Sequence, residues 1–368
     1  MDWPKTAIAH EWLVNYAGSE RVVESFTNIW KNADVFALVD FLDDEQRNFI
    51  LKGKKANTTF IQKLPLARKK HRYYLPLFPT AIERFNLSDY KLIISSAHAV
   101  SKGVKTNKNQ LHICYCHSPM RYAWDQSEQY LTGVKGFIAK SFINYLRNWD
   151  LKSVKNVNFF IANSNHIAEK IKRIYKRDSI VIYPPVDVDR FEVSEIREDY
   201  YVTASRLVPY KKTDLIVKAF NQMPDKKLFV IGSGPEKEKL KRLAGANIEF
   251  LGFQPAEQLK QYLKRAKAFV FAAEEDFGII VVEAMACGTP VIALNKGGTA
   301  ESVINGKTGI LFNEQKPESI KNAIIEFEKS IDNFDVQLIR RHAEKFSRPI
   351  FENNIRNFVI DKLRNLTK

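Results

Sequence analysis

The part of this 368-residue chain richest in chemistry runs from Glu275 to Pro290, as Glu-Asp-Phe-Gly-Ile-Ile-Val-Val-Glu-Ala-Met-Ala-Cys-Gly-Thr-Pro. Gly278 stands where an apolar strand pattern, Ala268–Phe271, gives way to a helical one. Without a side chain it lets backbone approach a ligand, and a helix that opens there turns its N-terminal amides towards an anion. Glu275 lies in the intervening loop, outside the carboxyl end of the strand, where open parallel sheets bind ligands. Glu283 falls deeper in the helix, among Ile280, Val281, Val282 and Met285, where a carboxylate needs a polar partner. A vicinal diol of a ribose or sugar meets that need, because one carboxylate accepts two hydrogen bonds. Two glutamates at this spacing also suit a surface loop acid and an ordinary helix residue. The surrounding Glu-x-Phe-Gly and Glu-Ala-Met-Ala-Cys-Gly-Thr-Pro makes the pattern specific.

Bases complement these acids. Ala204-Ser205-Arg206-Leu207-Val208-Pro209-Tyr210-Lys211-Lys212 follows a strand pattern at Tyr200–Ala204. Arg206 is a planar fork and Lys211 a point charge, a pair suited to a diphosphate leaving group; two solvated loop bases are the alternative. Gly232 and Gly234, in Val-Ile-Gly-Ser-Gly-Pro, make a Gly-x-Gly turn that carries little weight alone. Gly297-Gly298-Thr299-Ala300-Glu301 and Asn305-Gly306-Lys307-Thr308-Gly309 suit a structural turn at least as well as a site. In the first half, His117 follows a strand at Leu111–Cys116, and Gly18 and Ser19 precede a helix. Asp187-x-Asp189 has the spacing of a metal-binding pair, but it follows Pro184-Pro185 and reads as a linker turn. Cys114-x-Cys116-His117 lacks the second pair that a zinc site requires. Neither a Gly-x4-Gly-Lys-Ser/Thr loop nor a Gly-x-Gly-x-x-Gly fingerprint occurs.

The elements that must position these residues alternate. Further strands are expected at Thr6–Trp12, Val35–Val39, Leu92–Ser95, Asn158–Ala162, Leu228–Ile231, Ile248–Leu251, Pro290–Ala293 and Ile310–Phe312. Helices are expected at Glu20–Lys31, Ile167–Tyr175, Thr213–Asn221, Glu236–Ala244, Pro255–Ala266, Gly278–Ala286 and Pro317–Phe327. Repeated strand-helix-strand order predicts an α/β protein with two doubly wound, Rossmann-like domains. Tyr183-Pro184-Pro185-Val186-Asp187 marks the break between them, because a Pro-Pro pair stiffens an extended linker. Arg348-Pro349 marks another. Beyond it, Phe351, Ile355, Phe358, Val359 and Leu363 recur at helical spacing.

Lys and Arg number 57 against 42 Asp and Glu, a formal charge of +15. Residues 51–190 carry 25 bases and nine acids, so this middle third holds the excess. Residues 46–82 contain no acid at all. There Lys63, Arg68, Lys69, Lys70 and Arg72 interleave with Leu64, Leu66, Tyr73 and Phe78, a mixture suited to an anionic lipid interface. A solvated face and a single-strand nucleic-acid grip are the alternatives, and nucleic acid is not the expected partner. No run of 18 apolar residues occurs and no secretory signal is visible. Three cysteines are too few for a disulfide framework. These features together predict a cytoplasmic protein.

On the Glu275–Pro290 stretch and the Arg206/Lys211 pair, the sequence resembles the family-4 retaining glycosyltransferases of GT-B architecture, in which two Rossmann-like domains face a central cleft. The resemblance is strongest over residues 200–312. It implies an acceptor-side domain over residues 1–184, with a terminal helix over 350–368 crossing back to it, and a nucleotide-sugar domain over 185–349. It implies that Arg206 and Lys211 stabilise the departing diphosphate without a metal and with no cofactor. Glu283 is then assigned to the ribose, and Glu275 with the backbone of Phe277, Gly278 and Ile279 to the sugar. Gly232, Gly18 and Ser19 are assigned to the donor, although Ala17 replaces a glycine usual there. His117 is assigned to the donor sugar, and Arg121, Tyr122 and Asp125 to the acceptor. His117-Ser118-Pro119-Met120-Arg121-Tyr122 is most similar to enzymes that add mannose to surface-polysaccharide precursors. The implied reaction moves mannose from GDP-mannose to a lipid-linked or lipopolysaccharide acceptor at the inner face of the plasma membrane. A UDP-hexose enzyme, a nucleotide-sugar epimerase and a basic nucleic-acid-binding protein are the alternatives.

Overall fold

The apolar runs Thr6–His10, Leu92–Ala97, Leu111–Cys116, Ala268–Phe271 and Val291–Leu294 form strands buried on both faces. In the computed structural model, which describes residues 3–125 and 136–366, the chain divides into two units, Met1–Pro185 with Phe351–Lys368, and Val186–Ile350. The first contains β1 (Thr6–His10), β2 (Asp34–Ala37), β3 (Asn57–Thr58), β4 (Leu92–Ala97), β5 (Leu111–Cys116), β6 (Phe159–Ala162) and β7 (Ser179–Val181). They form a parallel sheet in the order β3-β2-β1-β4-β5-β6-β7. The second contains β8 (Tyr201–Ala204), β9 (Leu228–Ile231), β10 (Ile248–Gly252), β11 (Ala268–Phe271), β12 (Val291–Leu294) and β13 (Gly309–Phe312). Their parallel order is β10-β9-β8-β11-β12-β13. Both orders reverse direction at the first strand of the unit, which places loop-borne side chains at the carboxyl ends there.

Alternation along the central strands separates two of the three core clusters that the described residues of the first unit form. Ile8, Leu92 and Ile94 join one cluster, while Ala7, Ala9 and Ile93 join another, as a period of two requires. The helix Arg348–Leu366 sends Phe351, Ile355 and Val359 into the first cluster, with Phe351 5.6 Å from Tyr115 and 6.2 Å from Phe26. The terminal helix therefore returns to the first unit, as expected. Pro349 occupies its first turn, where a missing N–H costs nothing, so the expected break is the start of a helix.

Other boundaries differ from the sequence reading for physical reasons. β1 stops at His10 rather than Trp12, and the next residue, Glu11, is fully buried. The edge strands β3 and β7 have too few residues to show a period, and the helices Asp44–Leu51, Gly136–Ser153 and Val336–Glu344 were not anticipated. Among the described residues, no helix is long and apolar enough to cross a membrane.

Candidate active site

In the second unit, β8 leads into the loop that carries both predicted bases. Leu207 N–H donates to Ser233 O (2.9 Å) and Ser205 N–H to Ile231 O (3.1 Å), so the turn after β9 is the support of this loop. Gly232 adopts φ +132°, and a Cβ there would lie 1.9 Å from Ser205 O. At Gly234 a Cβ would lie 2.3 Å from Leu207 O. The Gly-x-Gly pair is thus required by its own backbone neighbours, a structural reason for Gly232 beside the expected donor contact. Arg206 is exposed on the supported loop, and Lys211 is largely buried at the far end of it.

Lys211 meets Glu275. The ammonium and the carboxylate form an ion pair whose side chains are 16% and 21% exposed, and Lys211 Nζ lies 5.7 Å from the Phe271 ring. Two residues 64 positions apart in sequence therefore touch at the carboxyl ends of the adjacent strands β8 and β11. The Glu275 backbone is fixed from behind: Gly298 N–H donates to Glu275 O (2.8 Å), and a Cβ at Gly298 would lie 2.2 Å from Asp276 O. Gly278, at φ +87°, immediately precedes the helix Ile279–Ala286. A Cβ there would lie 2.7 Å from Thr299 Oγ1, so glycine is needed both for the conformation and for the contact. The Gly297-Gly298-Thr299 loop is accordingly the back wall of the Glu275–Gly278 loop. Glu283 is buried in that helix, 8% exposed.

The rest of the motif is architectural. Thr289 Oγ1 donates to Leu263 O (2.6 Å), and Arg197 donates to Thr289 Oγ1 (2.7 Å) and Gly288 O (2.6 Å). Arg340 closes the helix end through Ala286 O (2.8 Å). In the later turn, Thr308 Oγ1 accepts from Ile304 N–H (2.8 Å) and a Cβ at Gly309 would lie 1.9 Å from Val291 O. Asp187 forms a bidentate pair with Arg348 (2.7 and 3.0 Å), and Asp189 is exposed, 3.7 Å from Arg340. The Asp-x-Asp spacing belongs to the linker turn.

In the first unit, Gly18 opens the helix Gly18–Ile29 after Ala17. Glu20 folds back on this end, accepting from Ala17 N–H (3.1 Å) and from the Ser19 hydroxyl (3.1 Å), and lies 3.4 Å from His10 Nε2. The Ser19 side chain, expected to serve the donor, is thus engaged by Glu20. His117 is buried after β5, with Nε2 2.8 Å from Ser96 Oγ. Burial, reinforced by His98, His10 and Arg121, holds its pKa well below that of a free imidazole, so it acts as a neutral hydrogen-bonding ring. Arg121 N–H donates to His98 O (3.5 Å), Tyr122 packs against the core, and Asp125 pairs with Lys170 (3.1 Å) and accepts from Ser118 (3.4 Å).

Sequence reasoning missed His10, Glu11, Trp12 and His98 here. Glu11 accepts from the N–H groups of His98, Ala99, Val100 and Ser101 at 2.7–3.1 Å and from the Ser101 hydroxyl. It thereby fixes the backbone that carries His98. Polar residues directly after the buried run of β1 were the available signal. Lys63, Arg68, Lys69, Lys70 and Arg72 are all exposed, beside Leu66 (66% exposed) and Tyr73 (74%). Arg72 and Lys70 each lie 5.2 Å from an aromatic ring, but the ring under Arg72, Trp12, is buried, whereas that under Lys70, Tyr73, is exposed.

Residues 16–190 match the family described as Glycosyltransferase Family 4, and residues 187–344 match Glycosyl transferases group 1. A GDP-mannose-dependent alpha-(1-6)-phosphatidylinositol monomannoside mannosyltransferase of Mycolicibacterium smegmatis is 33% identical over 38% of this chain and 44% of its own length. A D-inositol 3-phosphate glycosyltransferase of Mycobacteroides abscessus is 30% identical over 46% of this chain and 44% of its own. The chain thus spans less than half the length of these two relatives. Among solved structures, Anabaena HepE in complex with UDP superposes with a TM-score of 0.73 at 17% identity, covering 97% of this chain and 100% of that one. Sucrose-phosphate synthase of Thermosynechococcus elongatus gives 0.74 at 18% identity, covering 98% and 100%.

Proposed function

With one half matching Glycosyltransferase Family 4 and the other Glycosyl transferases group 1, the chain belongs to the GT-B glycosyltransferases, and from that premise we propose that it is a retaining, metal-independent hexosyltransferase. Its substrates are a nucleotide-diphosphate sugar and an acceptor hydroxyl. The observation that carries this reading is the contact of Lys211 with Glu275 at the ends of β8 and β11. It joins a cation suited to a leaving diphosphate to a carboxylate suited to sugar hydroxyls.

In the proposed reaction the bond from the anomeric carbon to the phosphate oxygen breaks. Lys211 and the exposed Arg206 neutralise the charge that gathers on the diphosphate, assisted by the amides that open the helix after Gly278. Glu275 holds the sugar and Glu283 the ribose. The acceptor oxygen attacks from the face the diphosphate leaves, and the departing phosphate takes its proton, so no side chain serves as a base. His117, kept neutral by burial, exchanges hydrogen bonds with sugar hydroxyls.

Mannose from GDP-mannose is the donor we favour, because the Mycolicibacterium relative is named for it. A UDP-hexose is the second choice, since HepE is solved with UDP. The acceptor is a lipid-linked glycan or lipopolysaccharide, met at the inner face of the plasma membrane. The exposed bases beside Leu66 and Tyr73 support this assignment. Thermal-shift measurements with GDP, UDP and ADP sugars in excess chelator test the donor site. A ligand at a hundred times its Kd adds about 2.7 kcal/mol. Stabilisation by GDP-mannose without metal is expected. No response to any nucleotide sugar refutes the transferase reading, and a response that needs added metal refutes metal independence.

A further inference from the structure

The indole of Trp12 gathers three nitrogen-bearing groups that the proposed reaction does not use. Its ring centre lies 4.8 Å from that of His98, 5.3 Å from that of His71 and 5.2 Å from the Arg72 guanidinium. Trp12 itself is 5% exposed and packs on Phe78 at 6.1 Å, so the platform is rigid. His71 is 8% exposed, yet among the described residues neither of its buried ring nitrogens has a hydrogen-bond partner. Buried polar atoms are ordinarily satisfied, and two on one ring point to a missing ligand. The surroundings say which sign of charge is missing. The ionisable neighbours that act on His71 and His98 are all bases: Arg72 on the first, His10, Arg121 and Arg72 on the second. The nearby carboxylates are occupied elsewhere, Glu11 by four backbone amides and Glu20 by Ala17, Ser19 and His10.

We propose that Arg72, His71 and His98, assembled on Trp12, form a phosphate-binding subsite of the first unit that takes a phosphoryl group carried by the acceptor. The identity of its bearer as an acceptor rests on the glycosyl-transfer reading. A guanidinium offers paired donors to phosphate oxygens, and each neutral imidazole offers one N–H. The subsite is built from residues of the first unit, whereas Arg206 and Lys211 belong to the second. Arg72 lies against the buried Trp12 ring, whereas the ring beside Lys70 on the same segment, Tyr73, is exposed.

The test uses the full chain with its histidine rings labelled for NMR and with GDP and UDP present to occupy the donor site. The probe is glycerol 3-phosphate. Saturable movement of the His71 and His98 signals is expected, with the apparent Kd raised at least tenfold by Arg72→Ala and by His98→Gln. No movement, or an unchanged Kd in Arg72→Ala, overturns the subsite. A response to phosphatidylglycerol vesicles without one to glycerol 3-phosphate also overturns it, in favour of a lipid surface. Stabilisation by the nucleotides, followed in the same samples, reports separately on the transferase reading and is expected to survive Arg72→Ala.

Discussion

Replacing Gly232 with alanine tests whether the turn after β9 holds the loop that carries Arg206 and Lys211 in place. The new Cβ would lie 1.9 Å from Ser205 O, a backbone atom that no rotamer change can remove. Relief to an ordinary contact needs a displacement of more than about 1 Å, because interiors are close-packed. The residue also stands at φ +132°, a conformation that costs about 1–3 kcal/mol without glycine. Overpacking adds about 1–3 kcal/mol, so the loss of stability should be about 2–6 kcal/mol. The loop that moves carries Arg206, and a 1 Å misplacement of a reacting group costs about 100-fold in rate. Gly306→Ala is the matched control: φ is +74°, but a Cβ there meets nothing within 4 Å, so only the left-handed conformation counts, about 1–2 kcal/mol. The assay pairs urea unfolding of both variants with initial rates of transfer from the donor that the thermal-shift screen selects. A rate in Gly232→Ala within a few-fold of the natural chain refutes the claim that this turn positions the bases. So does a stability loss no larger than that of Gly306→Ala.

Removing the ammonium with Lys211→Ala should lower kcat by about 10³-fold, in line with loss of one preorganised donor to a leaving group, and should lower Tm as well, because the largely buried Glu275 carboxylate loses its ion pair; near-normal turnover would exclude Lys211 from the leaving-group site. Reversing the charges of Arg68, Lys69 and Lys70 to glutamate should abolish flotation with phosphatidylglycerol vesicles, and undiminished flotation would remove the membrane assignment. His112 is buried, with Nδ1–H donating to Asn156 O (2.7 Å) and Nε2 accepting from Ser95 (2.9 Å), and burial pushes its pKa down to about 4. Unfolding returns it to the ordinary imidazole value of 6.5, so acid favours the unfolded chain. The contribution of this ring is intact above pH 6.5 and falls by up to about 3 kcal/mol as pH drops towards 4. Urea midpoints at pH 7, 5.5 and 4.5 should therefore decline, with a shallower slope in His112→Gln; equal slopes would refute the assignment.

Much of the molecule was legible without coordinates. The apolar runs that became β5, β9 and β11 have the residue ranges read from their patterns, since strands buried on both faces are nearly continuous in apolar residues. Their alternation with helical periods determined the α/β class, and Pro184-Pro185 located the division of the chain. The Glu275–Pro290 stretch exposed its chemistry because its acids and glycines are contiguous. Tertiary structure alone decided which glycine-rich pieces hold neighbouring segments together. Gly232, Gly298 and Gly309 are dictated by carbonyl oxygens of other segments, and no local pattern reports a contact between strands far apart in sequence. The pairing of Lys211 with Glu275, 64 residues away, follows from the adjacency of β8 and β11 in the sheet order. The gathering of His71, Arg72 and His98 on Trp12 likewise depends on three separate segments meeting behind β1. Local composition determines which backbone forms each stretch can adopt, whereas the burial and charge around a side chain are properties of what the fold brings beside it.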